Sequence, residues 1–260
     1  NANLSGSGAG GAQAIGEGFR AIREGRADVA LCGGYDNLVC IEGLSGYGRL
    51  GLLTTNSDVA PSASCRPFDR RRDGFAPAEG ACFVVLEAAD RAARRGAAIH
   101  GFVVGAGDGA DGYDPATPSP DGRGLVNASM AALAAAQVGP DALEFVVAHA
   151  SGSVAFDPVE SRALAAILGD AATHTPVTAP KGSMGHTVAA SGAFNAAAAL
   201  LALKSGQVPP TANLEEPDSG CDGLDHVTGA PRPLASTDGL GLVHSVGLGG
   251  QATALVIRGA

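Results

Sequence analysis

Short apolar runs alternate with stretches of helical period along this sequence, and that alternation leaves few folds open. Residues 27–32, 82–87, 99–104, 145–148, 177–179, 241–246 and 252–257 read as strands. Between them, helical patterns are expected from the glycine-rich turn at 5–11 up to Gly25, and over 88–95, 125–138, 158–168 and 187–204. Gly33-Gly34 is expected to stop the first strand. Residues 43–63 lack periodicity and read as loop with room for one short helix. Residues 105–124, rich in Asp, Pro and Gly, read as a long functional loop. Strands alternating with helices predict an α/β layered fold, a mostly parallel sheet covered by helices.

The two ends of the chain repeat each other. The second half closes as strand, helix, strand, strand, and the first half opens as helix, strand, strand. This predicts a duplicated fold, with one half in residues 1–97 and the other in 98–260, and the first half incomplete in this chain. Its missing strands are expected from another polypeptide or a further segment. The chain begins at Asn1, which suggests a processed, truncated or partly supplied chain.

Composition excludes several classes. A formal net charge of -9 argues against a nucleic-acid surface, which needs clustered cations to neutralise phosphates. The basic cluster Arg70-Arg71-Arg72 is flanked by Asp69 and Asp73, which favours a local ion-pair network. No run approaches the roughly 18 apolar residues of a membrane span, and no signal-peptide pattern opens the sequence, so a cytoplasmic protein is expected. The five cysteines are widely spaced and odd in number, which favours reduced buried thiols. Neither a metal nor an organic cofactor is called for.

Three places carry chemistry. Ser5 to Ile15 is a cluster of small residues opening into a helix whose Ala12, Ile15, Phe19 and Ile22 share one face. Such a turn gathers backbone N–H groups at a helix start and suits a nucleophile or an anion. It also suits a plain tight turn, and it lacks the spacing of the nucleotide loops. His149 ends a strand and is followed by the small-residue turn Ala150-Ser151-Gly152-Ser153, where ligands of α/β sheets bind. Lys181-Gly182-Ser183-Met184-Gly185-His186 leads into the long helix. A histidine after a strand is also a common structural residue, and a loop lysine is commonly solvated; the conjunction of the three is what points to chemistry.

Together they resemble the β-ketoacyl synthases, condensing enzymes of the thiolase fold. The family's nucleophile loop, commonly Thr-Ala-Cys-Ala-Ala-Gly, lies on Gly6 to Gly11. Its His-Gly-Thr-Gly-Thr lies on His149 to Ser153, and its Lys-Ser-x-x-Gly-His on Lys181 to His186, with Gly182 at the Ser place. Its Gly-Phe-Gly-Gly lies on Gly247 to Gly250, with Leu248 for Phe. The run Arg66-Pro67-Phe68-Asp69 to Arg72-Asp73-Gly74-Phe75 and Glu79-Gly80 is also similar.

The resemblance implies decarboxylative condensation on an acyl carrier protein. His149 and His186 would stabilise an enolate oxygen and Lys181 would support the charge network. Gly247, Leu248, Gly249, Ser151 and Ser153 would line the acyl site, with Leu248 as its gate. The family's cysteine falls on Gly8. Without a thiolate no acyl-enzyme forms, and Ser7 is one residue off and an alcohol. A chain-length-factor-like subunit of a type II polyketide or fatty-acid complex is therefore expected, paired with a Cys-bearing ketosynthase subunit, a homodimer mate being the other arrangement. The alternatives are a synthase disabled by a Cys-to-Gly change, a malonyl-thioester decarboxylase, and a scaffolding partner without chemistry.

Overall fold

The computed structural model describes residues 1–260. In chain order the elements are α1 (Gly10–Arg23), β1 (Val29–Asn37), α2 (Ile41–Arg49), β2 (Glu79–Glu87), α3 (Ala89–Arg94), β3 (Phe102–Ala110), α4 (Arg123–Ala136), β4 (Leu143–Val147), α5 (Phe156–Leu168), β5 (Pro176–Thr178), α6 (Lys181–Met184), α7 (Ser191–Ser205), β6 (Gln207–Val208), β7 (Asp225–His226), β8 (Arg232–Pro233), β9 (Leu240–Val246) and β10 (Gln251–Arg258).

Six strands form the central sheet in the order β3-β10-β9-β4-β5-β7. The two faces of its strands are both apolar, as burial on both sides requires. Val146, Ala148, Ala254 and Val256 face a core completed by Leu125, Ala128, Ala132 and Leu133 of α4 and by Ala163, Leu164 and Ile167 of α5. Their neighbours Phe145, Val147, Leu255 and Ile257 face a second core, closed by Ala12 and Ile15 of α1 and by Ala193, Ala196, Ala199 and Leu203 of α7. Beyond α1 and α7 lies the antiparallel ribbon β1–β2, in register from Val29 opposite Glu87 to Asn37 opposite Glu79. Its inner residues Cys32, Cys82, Val84 and Leu86 join the second core. Its outer face leaves Leu31, Tyr35, Phe83 and Val85 exposed.

The sheet is mostly parallel, as expected, with β10 as its one reversed strand. β9, β4, β5 and β7 run parallel to one another, but β10 runs against both β9 and β3. β3 continues through Gly105, Gly107 and Gly109, residues expected to lie in a loop. A Cβ on any of the three would overlap the α4 backbone, at Ala132, Ala128 and Gly124 in turn, so the glycines let the helix sit directly on the strand. Without side chains these positions carry no strand period. β1 likewise runs on through Gly33-Gly34, because a Cβ on Gly34 would overlap the Ala189 carbonyl. The stretch expected as one helix from 187 begins instead with a 3-10 turn at Val188–Ala190, and α7 follows from Ser191.

Residues Val188–Ser205 are, contrary to the expectation that no run comes near it, long and apolar enough by composition to cross a membrane. In the fold α7 is a core helix wedged between the sheet and α1, which accounts for its apolar character on every side. All five cysteines are free. The expected ion-pair network exists, but its acids come largely from a distant loop: Arg70 pairs with Glu216, Arg71 with Asp69 and Glu215, and Arg72 with Asp218. Asp73 instead accepts from Thr54 and Thr55.

Candidate active site

The turn after β4 is held by a helix rather than by its own loop. Asp157 and Glu160, three residues apart and so on one face of α5, accept four consecutive backbone N–H groups. Glu160 takes His149 (2.8 Å) and Ala150 (2.7 Å), and Asp157 takes Ser151 (3.1 Å) and Gly152 (3.0 Å). Asp157 also accepts the Phe68 N–H at 2.9 Å, which holds that buried ring in the left-handed region at φ 65°. Burial pushes Asp157 up to about 6, against the pull of the Phe68 and Ser151 amides and Arg72. On the other side of the turn Lys181, at the start of α6, donates from Nζ to the His149 carbonyl at 2.5 Å. Lys181 is fully buried, and burial lowers it to about 8 although Glu160, Cys65 and Asp157 favour its charge.

This clamp fixes a ring pair. His149 Nδ1 accepts the Val246 N–H at 3.1 Å, so the ring proton sits on Nε2. His186 lies edge-on to it with ring centroids 5.2 Å apart, and Phe75 stacks edge-on to His186 at 4.9 Å. Burial first, and the neighbouring Lys181 charge second, hold both imidazoles well below the ordinary histidine range. At neutral pH they are therefore uncharged N–H donors rather than cations. They border a cleft that Ser7, Gly8, Tyr47, Leu52, Phe75, Ser151, Ser153, Phe156, Val188, Val246, Gly247 and Leu248 complete.

Gly8 lies at the foot of this cleft, just ahead of α1. Its carbonyl accepts the buried hydroxyls of Ser245 (2.8 Å) and Ser191 (3.4 Å). A Cβ on Gly8 would point at His149, 3.3 Å from Cε1, and would overlap the Val246 carbonyl oxygen. The left-handed residue of the turn is Ser7, at φ 48°, and a second one, Val188 at φ 38°, sits across the cleft. Positive φ costs a β-branched residue ~1–3 kcal/mol and collects where the surroundings fix the backbone. No cysteine lines the cleft. Cys65 donates to the carbonyl of Ser151, a residue of the lining, at 3.4 Å, and burial pushes its thiol up to about 11, which makes it a poor nucleophile.

Models of two domains match the chain: the beta-ketoacyl synthase N-terminal domain over residues 4–92 and the beta-ketoacyl synthase C-terminal domain over 100–215. The chain belongs to the β-ketoacyl synthase family. It is 36% identical over 250 residues to the 3-oxoacyl-[acyl-carrier-protein] synthase 2 of Synechocystis, covering 96% of this chain and 59% of that protein. It is 34% identical to the synthase of the same name from Coxiella burnetii, over 94% of this chain and 58% of the relative. The chain thus spans about three fifths of the length of these relatives. Among solved structures it superposes, with a TM-score of 0.94 and 31% identity, on a type II polyketide acyl carrier protein complex with its ketosynthase bound to the hexaketide, over 100% of this chain and 63% of that one. The ishigamide ketosynthase/chain length factor gives a TM-score of 0.90 and 32% identity, over 100% and 60%. The mixed α/β architecture is the thiolase-like ketosynthase fold.

Of the residues singled out in the sequence, the fold gathers Gly8, His149, His186, Ser151, Ser153, Gly247 and Leu248 around one cleft. Lys181 lies behind it, on the His149 carbonyl. Gly249 stands outside, in the left-handed turn between β9 and β10 at φ 89°. Asp157, Glu160, Tyr47 and Phe156 belong to the site or its support and were not singled out, and Phe75 was named only within a family-like run, without a role. The i, i+3 acids just after the His149 turn were the one local signal available.

Proposed function

We propose that this chain is a ketosynthase-family subunit without a nucleophile of its own, chain-length-factor-like, that shapes an acyl cleft in a type II polyketide or fatty-acid condensing complex. Gly8 stands at the place of the family's cysteine, and a Cys-bearing ketosynthase subunit carries the acyl chain. An acyl carrier protein delivers the thioester. The observation that carries this reading is the space at Gly8: the Val246 carbonyl occupies the place a side chain would take. Similar in fold are the ishigamide ketosynthase/chain length factor and a ketosynthase in complex with its chain length factor from Xenorhabdus doucetiae. Residues 1–97 and 98–260 are read as the two thiolase-like halves, and the exposed face of β1–β2 as the surface that further strands of the first half cover.

The test is made with the full-length protein, alone and with its partner. Alone, it should gain no acyl mass from an acyl-carrier thioester; with the Cys-bearing subunit, condensation product should form. Acyl transfer by the protein alone would refute the reading. A companion substitution, Gly8→Cys, is expected to give no acylated thiol either, since its Cβ would overlap the Val246 carbonyl and overpacking of this kind costs ~1–3 kcal/mol. Intact-protein mass after thioester exposure checks it, and a stable acyl adduct would instead favour a synthase disabled by one substitution.

A second reading shares the same cleft, and the neutral histidine pair favours it. With a malonyl thioester the two N–H donors can hold the thioester oxygen while the bond to the carboxylate carbon breaks. Carbon dioxide leaves, the electron pair forms the enolate, and a proton from solvent gives the acetyl thioester. Such donors act by stabilising charge as it develops on oxygen, and this step needs no thiolate.

A further inference from the structure

Ser129 on α4, His244 on β9 and Glu160 on α5 stand in a line. Ser129 Oγ is 2.8 Å from His244 Nε2, and His244 Nδ1 is 3.0 Å from Glu160 Oε1. The order is that of nucleophile, base and orienting acid. Yet Ser129 and His244 are both 0% exposed, and neither borders the cleft. No substrate reaches the hydroxyl, so the line serves another purpose.

Its acid is the carboxylate from which the His149 turn hangs. Glu160 Oε2 accepts the Ala150 N–H, while Oε1 is shared between the His149 N–H and His244 Nδ1. With Nδ1 donating to Glu160, Nε2 is left to accept the Ser129 hydroxyl proton, so every polar atom of the line is matched. His244 also reaches the ring of His149 along its own strand: Val246, two residues on, donates to His149 Nδ1. Asn195 ties the two strands together, donating from Nδ2 to the carbonyls of His244 (3.0 Å) and Ala148 (3.1 Å).

We propose that His244 is a positioning residue for His149, acting through Glu160 on its backbone and through the end of β9 on its ring. Ser129 fixes the far side of the His244 imidazole. The chemistry this serves rests on the reading of His149 as an N–H donor to a thioester oxygen.

The experiment uses the full-length protein with its partner and ¹⁵N-labelled histidine. In the wild type the His149 resonances should show an unprotonated Nδ1 and a protonated Nε2. In His244→Phe, which removes both ring contacts, they should show mixed tautomers. Malonyl-thioester decarboxylation should fall about 10- to 100-fold in kcat with KM within about twofold, the size expected when a reacting group is misplaced by a fraction of an ångström to 1 Å. His244→Gln, which can still donate to Glu160, should recover much of the loss, and Ser129→Ala should lose less than His244→Phe. A single unchanged His149 tautomer together with unchanged kcat in His244→Phe overturns the proposal; if that variant does not fold, the same result in His244→Met, which fills the space without donating to Glu160, overturns it. Wild-type protein that fails to decarboxylate overturns the functional reading alone, and the tautomer measurement then decides the positioning role.

Discussion

His149→Ala and His186→Ala are each expected to slow decarboxylation of a malonyl thioester by about 100- to 1,000-fold, the loss typical of one donor removed from an oxyanion site. The two N–H groups stand on perpendicular rings, 5.2 Å between centroids. Their neutral state sets the pH dependence. Both imidazoles are held well below the ordinary range, so the donating form persists as pH falls through 6.5, and the rate should decline only at lower pH. Protonation of His149 would place a second N–H against the Val246 N–H that Nδ1 now accepts, breaking the contact that aims the ring. Single-turnover release of carbon dioxide between pH 5 and 8 measures both effects. A rate that halves near pH 6.5 in the wild type, or an alanine variant within threefold of it, would contradict this assignment.

The largest expected effect on stability lies away from the cleft, at Asp69. Its fully buried carboxylate accepts the backbone N–H groups of Arg71 (2.9 Å), Glu215 (2.8 Å) and Glu216 (3.1 Å) and the Arg71 guanidinium (3.2 Å). Burial alone would raise its pKa, but these donors win and bring the group down to about 2. Asp69→Ala leaves three amides without an acceptor while Arg71 keeps Glu215, and a loss of ~3–5 kcal/mol is expected at ~1–3 kcal/mol for each donor left unsatisfied. The sign of the pH dependence follows from the depressed value. The carboxylate's contribution is complete above about pH 4, the unfolded value, and is lost as pH falls toward 2. The difference in unfolding free energy between wild type and Asp69→Asn should therefore shrink below pH 4, as urea midpoints would show.

The legible part of this protein is the part whose residues announce themselves locally. His149, His186, Gly247 and Leu248 sit in short stretches whose spacing survives in one dimension, and the cleft they form could be anticipated from them. Strands such as β9 and β10 were also plain, because both faces are buried and apolar residues dominate them. What stayed hidden has one of two physical causes. β3 and the end of β1 are glycine-rich because helix or turn backbone lies directly against them, and a strand without side chains shows no period. Glu160, His244 and Ser129 look like ordinary helix and strand residues, since what they do depends on three elements meeting 84 and 115 residues apart in sequence. The expected support of the charge network by Lys181 had its place in the sequence but not its form, a buried ammonium on a backbone carbonyl.

The outer face of the β1–β2 ribbon has a practical consequence. Leu31 and Tyr35 on one strand and Phe83 and Val85 on the other are between half and three-quarters exposed, side by side on a pleated surface. A contiguous apolar sheet face of this kind promotes self-association. Preparations of residues 1–260 by themselves are thus best handled dilute or co-expressed with whatever covers that face, and light scattering should be read before any kinetic trace.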